Sequence, residues 1–501
     1  MKSLVHDFLL ETAARTPTAT ALICGDQRVS FAELAAAAGG IAATLQEMGV
    51  RRGDRVMLLL ENSVEMVAAV FGIAMAGGVF VPINSTTKAA KLADLIADCT
   101  PRVLIAGAAH APVVDSAGAD VQVLWGGGGL DDAMAARPAV TDPGLIDQDL
   151  VAIIYTSGSS GVPKGVMLTH RNMANTAWAI STYLGNRPDD VVICMLPMSF
   201  DYGLYQAITG ARVGFAVVLE KSFAFPWRTL ENMAAHRVTG LPGVPTIFAG
   251  LLQLAPFGDL DLSALRYVTN TAAALPPAHI RGLREAFPQV QIFSMYGLTE
   301  CTRVSWLDPA RLDDKIGSVG RAMPNSEVYV VDDAGRRLPP HHVGELVVRG
   351  ANVMRGYWHK PDVTARRLRD GEIEGEKVLY TGDLFRMDAE GFLYFVGRVD
   401  DIFKCRGEKV SPKEVEHVLH EIPAVAEAAI VPVPDPVDGM AIKAVVVPRE
   451  GAALTEDEVR RHCRARLESY LVPRFVEIRA SLPRSENGKV RKAALAENTS
   501  N

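Results

Sequence analysis

At 501 residues, 49% hydrophobic and 22% charged, the chain is too long for one compact core and has a globular profile, which excludes a disordered chain and predicts at least two domains. Its 51 basic and 58 acidic side chains give a net charge of −7 with no basic tract, so no nucleic-acid partner is expected. The six cysteines (Cys24, Cys99, Cys194, Cys301, Cys405 and Cys463) form neither a CxxC pair nor a metal-ligand spacing, the pattern of free thiols in a reducing, cytoplasmic compartment.

Residues 1–7 run directly into an amphipathic pattern, so no secretory leader is expected. Helical periodicity over 35–48 is followed by a strand pattern at 55–60 and a second helical pattern at 65–76. Residues 66–83 pass 18 positions without a charge, near the length of a membrane span. Gly77-Gly78 divides that run, which therefore predicts a buried helix, a glycine turn and a buried strand rather than a membrane span. Strand patterns recur at 103–106, 121–125, 151–155 and 191–195, with the glycine run 126–129 as a loop. This alternation predicts α/β layers with largely buried sheets. His341-His342, set among prolines, reads as exposed loop. Around 397–401 the texture changes. A helix at 412–420, strands at 428–433 and 442–447, and a helix at 456–468 predict a small, separate α+β domain.

The stretch richest in chemistry is Tyr155-Thr-Ser-Gly-Ser-Ser-Gly-Val-Pro-Lys-Gly-Val166, directly after an apolar strand pattern. Its glycines let the backbone approach a polyphosphate closely, and its amides and hydroxyls can donate to phosphate oxygens. Lys164 adds a positive charge. The spacing does not fit a Walker-type loop, and on composition alone a flexible linker stays open.

With that loop in place, the chain resembles the adenylate-forming ligases. This family includes acyl-CoA synthetases, aryl-CoA ligases, firefly-type luciferases and the adenylation domains of nonribosomal peptide synthetases. The motifs follow the family's order along nearly the whole chain. They begin with Val29-Ser-Phe-Ala-Glu-Leu34, Ala76-Gly-Gly-Val-Phe-Val-Pro-Ile83, the loop at 156–165 and Tyr296-Gly-Leu-Thr-Glu300. Gly344-Glu-Leu346, Arg355-Gly-Tyr-Trp358, Tyr380-Thr-Gly-Asp383, Gly397-Arg-Val-Asp400 and Pro483-Arg-Ser-Glu-Asn-Gly-Lys489 complete the series. The resemblance implies a large N-terminal domain of layered sheets and helices (1–398) and a small mobile α+β C-terminal domain (401–501), hinged near Asp400. It implies ATP-dependent activation of a carboxylic acid as acyl-AMP with release of pyrophosphate. The acyl group then passes to a phosphopantetheine thiol, as in an acid–CoA ligase for an acyl or aryl acid. The alternative is a stand-alone amino-acid-adenylating enzyme that loads a separate carrier protein.

Attack of a carboxylate on the α-phosphate brings two anions together, so fixed donors and a divalent cation must neutralise charge. The resemblance implies that Glu300 holds Mg²⁺, that Thr299 contacts the α-phosphate, and that Tyr296 lies against adenine beside Thr271, Ala272 and Ala273. Thr156, Ser157, Gly158, Ser159, Ser160, Gly161 and Lys164 would cradle the phosphates, Asp383 and Arg398 would hold the ribose, and Lys489 would bridge carboxylate and α-phosphate. For the second step, rotation about Asp400 would withdraw Lys489 and bring in the 404–409 loop, with Lys404 assisting and Gly407 lining the thiol tunnel. Cys405 is not required as a nucleophile, because pantetheine brings the thiol. Asn270-Thr-Ala-Ala-Ala-Leu275 stands where many relatives have a Gly-Gly-Ala-Pro-like turn, and its side chains would narrow the adenine site or the pocket floor.

The acyl pocket is expected along Pro197-Met-Ser-Phe-Asp-Tyr-Gly-Leu-Tyr205, Gly243-Val-Pro-Thr246 and the residues flanking Tyr296. That brings in Asp201, Tyr202, Tyr205, Gly243, Met295 and Arg303. Asp201 matches the aspartate that pairs with a substrate ammonium in peptide synthetases, and an aspartate facing only an apolar acid is costly to keep ionised. Free-standing acyl ligases carry the same Phe-Asp-Tyr-Gly run, however, and Cys301-Thr-Arg-Val-Ser-Trp306 is more similar to theirs, which favours an acyl or aryl acid. Arg303 either meets a substrate carboxylate or pairs with Asp201. The chain stops soon after Lys489, so free CoA or a separate carrier protein is expected as acceptor. Lys404, Arg406 and Lys409 suit the phosphates of CoA, and equally the acidic helix of a carrier protein.

Overall fold

The computed structural model describes residues 4–118, 120–137, 139–157, 163–271, 275, 277–399, 403–405, 408–435, 439–467, 469–484 and 490–496, with backbone alone for Ser157, Pro277, Lys404, Glu408, Lys409, Gly439 and Ala493. The chain divides into two compact units. The first is Met1–Val328 with Val347–Tyr380 and Gly391–Leu393; the second is Tyr329–Leu346, Thr381–Glu390 and Tyr394–Asn501.

In the first unit the described residues build two large sheets. A seven-stranded sheet runs Gly356–Tyr357, Pro163–Thr169, Leu150–Ser157, Val79–Pro82, Arg55–Leu59, Val103–Ala106 and Gln122–Trp125. Its four neighbours from Val79–Pro82 outward are parallel, and Met57, Leu59, Val79, Val81, Leu104 and Ile153 share one core cluster. Parallel strands are covered on both faces, which is why these segments read as unbroken apolar runs. A nine-stranded sheet runs Arg321–Ala322, Ser305–Trp306, Gln291–Tyr296, Tyr267–Asn270, Gly240–Gly243, Val191–Cys194, Ala216–Leu219, Thr20–Cys24 and Gln27–Ser30.

The charge-free run at 66–83 resolves as expected. The helix Val64–Met75 is buried on every side except at Glu65, Gly77 turns the chain at φ +85°, and Val79–Pro82 is a wholly buried strand. A side chain in that left-handed region is strained, which glycine avoids. No described helix is long and apolar enough to cross a membrane.

Local chemistry sets the helix starts. Ser30 accepts from the Glu33 amide, and the Glu33 carboxylate accepts from the Ser30 amide at 2.8 Å, a reciprocal cap that opens Phe31–Glu47. Thr169 and Asn172 cap His170–Tyr183 in the same way.

The second unit holds a three-stranded sheet of Val425–Asp435, Gly439–Pro448 and Phe475–Ile478, against which the helices Pro412–His420 and Glu456–Arg466 pack. The expected helices at 412–420 and 456–468 and strands at 428–433 and 442–447 fall on these elements. Val415, Leu419, Ile430, Ile442, Val446 and Val459 lie at the centre of its core. His341 and His342 are exposed, and all six cysteines are free.

Candidate active site

Three parallel strands of the nine-stranded sheet, Gly240–Gly243, Tyr267–Asn270 and Gln291–Tyr296, end side by side, with Gly243 opposite Asn270 and Asn270 opposite Ser294. The loops that leave the carboxyl ends of parallel strands are where such sheets build their sites. Here the segments 243–246 and 296–303 continue from those strand ends, as does Thr271, and the run at 197–205 follows the neighbouring strand Val191–Cys194.

The turn that holds Thr299 and Glu300 is tight because Gly297 opens it. A Cβ on Gly297 would meet the Thr302 carbonyl oxygen at 2.2 Å, a distance only glycine avoids. Thr302 itself sits at φ +60°, and the Val304 amide returns to the Tyr296 carbonyl at 2.9 Å. Beneath the turn lies Asn352, fully buried, whose side-chain amide donates to the carbonyls of Cys301 (3.3 Å) and Arg303 (2.9 Å). The amide of Asn172 donates in turn to the carbonyls of Ala351 and Val353, both at 2.8 Å. Two neutral side chains therefore fix the segment that follows.

That segment joins the turn to the hairpin of Leu150–Ser157 and Pro163–Thr169. The Met354 amide donates to the Glu300 carbonyl (2.8 Å), Arg355 to Met167 (2.9 Å) and Trp358 to Gly165 (2.8 Å), while Tyr357 pairs with Val166. The hairpin strands Leu150–Ser157 and Pro163–Thr169 place Thr156 opposite Lys164 and Ser157 opposite Pro163. The Lys164 ammonium stands 5.8 Å from the Tyr357 ring, and the Tyr357 hydroxyl donates to the Glu300 carboxylate at 2.6 Å. Lys164, Tyr357 and Glu300 thus form one connected group of a cation, a phenol and a carboxylate. Thr299, Glu300 and Tyr296 are all half-buried and reachable. A hard carboxylate oxygen that shares a cation with nucleotide phosphates is the usual way Mg²⁺ is held. Glu300 fits that donor set, and among the described residues no cluster of three or more acidic, imidazole or thiol groups could hold a metal by itself.

A second group gathers at the head of the helix Asp201–Val213. Asp201 is its first residue and half-buried, whereas Tyr202, Tyr205, Met295 and Arg303 are buried. The Tyr202 hydroxyl lies 2.8 Å from the Thr269 carbonyl and 2.6 Å from its hydroxyl. The Tyr183 hydroxyl points at the Met295 sulfur (3.1 Å), and its ring stacks on Trp306. Burial pushes the Tyr183 phenol up to about 12, against the opposing pull of the Arg303 cation. Burial likewise raises Tyr202 and Tyr205. The helix can approach because residue 203 is glycine: a Cβ there would meet the carbonyl oxygens of Leu196 and Pro197, both at 2.5 Å. No ion pair joins Arg303 to Asp201; the Arg303 guanidinium lies over the Tyr202 ring, 5.2 Å from its centre.

In the second unit, Gly382 turns at φ +73° and its amide donates to Glu345 (2.8 Å). The next residue, Asp383, is buried and meets the Arg398 guanidinium at 3.2 Å. Farther along, fully buried Lys443 bonds Glu477 (2.8 Å) and the Leu495 carbonyl (3.1 Å). Buried Glu416 meets Lys413 at 2.7 Å and Lys492 at 3.4 Å, and accepts from the Ile430 amide at 3.1 Å. Burial alone would raise the Glu416 carboxyl, but the two lysines and that amide outweigh it and hold it below its ordinary value.

A family model described as AMP-binding enzyme matches residues 9–358, and one described as AMP-binding enzyme C-terminal domain matches residues 414–489. The chain belongs to the AMP-binding enzyme family. It is 34% identical over 486 residues to a feruloyl-CoA synthase of an Amycolatopsis species, covering 96% of each chain. It is 30% identical over 545 residues to a long-chain-fatty-acid–CoA ligase of Bacillus subtilis, covering 99% of this chain and 95% of that one. Among solved structures, ATP-bound MatB from Rhodopseudomonas palustris superposes with a TM-score of 0.90 at 30% identity, with 99% of both chains covered.

In this AMP-binding enzyme Lys164 and Glu300 meet at Tyr357, with Thr156 opposite Lys164 and Thr299 next to Glu300 in the chain. Tyr202, Tyr205, Met295 and Arg303 belong to the buried group at the head of the helix Asp201–Val213. Thr271 follows the strand end at Asn270, and Asp383 pairs with Arg398. Gly158, Ser159, Ser160, Gly161, Ala272, Ala273, Asp400, Gly407 and Lys489 lie outside the described residues, as do the side chains of Ser157 and Lys404. Asn172, Asn352 and the hydroxyl of Tyr357 are supporting residues that sequence reasoning did not single out. Tyr357 stood inside a quoted motif, but its link to Glu300 spans 57 positions. The two asparagines carry no local signature.

Proposed function

We propose that this AMP-binding enzyme is an ATP-dependent acid–CoA ligase. It activates an acyl or aryl acid as acyl-AMP with release of pyrophosphate, then transfers the acyl group to the thiol of CoA. The observation that supports this reading most is the junction of Lys164, Tyr357 and Glu300, which ties a glycine–hydroxyl loop to a carboxylate through one short strand. Glu300 would hold Mg²⁺, which, when bound, neutralises charge on the phosphates. Lys164 and the loop amides would orient the β- and γ-phosphates, and Thr299 would donate to the α-phosphate as the carboxylate attacks. Asp383 and Arg398 would fix the ribose, with Tyr296 against the adenine. Lys489 would donate to the oxygens that become crowded in the transition state. Lys404 and Gly407 would serve the second step after a rearrangement at Asp400. A carrier-bound phosphopantetheine is the alternative acceptor, with an amino acid as substrate. Asp201, at the head of its helix, is the residue that would favour that case.

Lys489→Ala tests the reading. It should abolish acid-dependent ATP–pyrophosphate exchange while largely sparing thioester formation from supplied acyl-AMP. Equal loss in both assays would remove Lys489 from the first step.

A further inference from the structure

Arg303 is the only arginine among the described residues that is fully buried, at 2% exposure. A guanidinium stays charged at any accessible pH, so its burial needs a counter-charge. This fold supplies one elsewhere: Arg266 has the Asp190 carboxylate at 2.8 Å, and Arg474 has Asp435 at 2.6 Å, although both arginines are more exposed. Arg303 has none. No carboxylate among the described residues lies within ion-pair reach of it, and its Nε–H is buried without an acceptor. The Tyr202 ring beneath it offers partial compensation only. The Tyr183 hydroxyl, which donates to the Met295 sulfur, lies beside the guanidinium and can accept from it, but like the Tyr202 hydroxyl, which faces Thr269, it is a neutral group and supplies no counter-charge. The cation is nevertheless held firmly, because Asn352 pins its carbonyl and its amide meets the Cys301 carbonyl at 2.6 Å.

We infer that Arg303 reads a second carboxylate, at the end of the substrate remote from the one that is activated, so that the preferred substrate is a dicarboxylic acid. The inference rests on the acid-activating reading above and names the substrate class of that same pocket. A forked guanidinium matches a carboxylate with two parallel hydrogen bonds and supplies the missing counter-charge from the ligand. A simple fatty or aryl acid would leave the buried cation uncompensated in the complex, and an amino acid would bring its ammonium towards it. A site built around a buried charged donor rejects analogues that lack the matching group.

The test is ATP–pyrophosphate exchange with matched pairs of acids: butanoic and succinic, hexanoic and adipic, benzoic and isophthalic. The wild-type enzyme should favour the diacid of at least one pair by about 10- to 100-fold in kcat/KM. Arg303→Met should reverse that ranking, and Arg303→Lys should keep part of it. Wild-type exchange that favours the monoacids or an amino acid overturns the role of Arg303 and leaves the ligase reading intact. Exchange with no acid of any kind overturns both. The wild-type comparison decides the matter even where Arg303→Met does not fold.

Discussion

The turn that carries Glu300 and the sheet of the second unit solve one problem in opposite ways. Each must hold a polar segment against a buried interior. Beneath Glu300 the work falls to neutral groups: Asn352 and Asn172 donate to four backbone carbonyls and bring no net charge inside. In the second unit it falls to charges, with Lys443 and Glu416 buried and anchored to Glu477, Lys413, Lys492 and the Leu495 carbonyl. Buried amides cost little once satisfied, whereas buried ions must recover a large desolvation penalty from their partners. The neutral solution leaves the field around the Glu300 carboxylate undisturbed. The charged solution suits a segment such as 490–496, whose two lysine contacts help dock it.

The largest expected effect comes from forcing a charge into the neutral region. Asn352→Asp keeps the shape but replaces the amide donor with an anion that faces the Cys301 and Arg303 carbonyls. It should cost about 3–5 kcal/mol, read as a drop in the urea midpoint together with loss of pyrophosphate exchange. A variant as stable as wild type would mean that the two carbonyls are satisfied by other donors.

Protons can force a charge into the same unit. His170 is fully buried, its Nδ1 accepts the Val5 amide at 3.0 Å, and its ring packs edge-on against His6. Burial first, and then neighbouring His6, lower it to about 3, with Asp149 opposing. Between its ordinary value near 6.5 and about 3, the unfolded chain therefore binds the proton and the folded chain does not. Stability from this group is complete above 6.5 and is lost as pH falls towards 3, by about 3 kcal/mol at pH 4. Unfolding midpoints across that window should slope steeply in wild type and flatten in His170→Asn, which still offers an acceptor to Val5. An unchanged slope in the variant would assign the effect to other groups.

How far the sequence could be read follows the same division. The α/β layers, the buried strand after Gly77 and the helix at 412–420 were legible because apolar period and glycine turns are local signals. The pairing of Tyr357 with Glu300, the neutral pins Asn172 and Asn352, and the missing counter-ion of Arg303 were not legible. Each depends on which strands end side by side, and a single buried asparagine or arginine carries no periodic trace. The sequence left open whether Arg303 pairs with Asp201, and only the three-dimensional arrangement answers that it does not.

The reverse swap, taking a charge out of the second unit, should be milder. Glu416→Gln retains an oxygen for the Ile430 amide and gives up only the attraction of Lys413 and Lys492, both of which can turn to water. A loss of about 1–2 kcal/mol is expected in the unfolding of that unit. A loss as large as that of Asn352→Asp would erase the contrast between the two regions.

The smallest effect should come from Tyr357→Phe, where a neutral donor supports a charge. The hydroxyl at 2.6 Å steadies the Glu300 carboxylate, but Glu300 is half-exposed and water can take the donor's place. The fold should tolerate the change, because the Tyr357 backbone stays paired with Val166. Pyrophosphate exchange should fall about threefold to tenfold, and if Glu300 holds Mg²⁺ as proposed, the Mg²⁺ concentration for half-maximal rate should rise, since a less ordered carboxylate would hold the cation less well. A fall in rate with unchanged Mg²⁺ dependence would place the Tyr357 hydroxyl in the support of the strand rather than of Glu300, and the link between the Pro163–Thr169 strand and the carboxylate would then rest on the backbone alone.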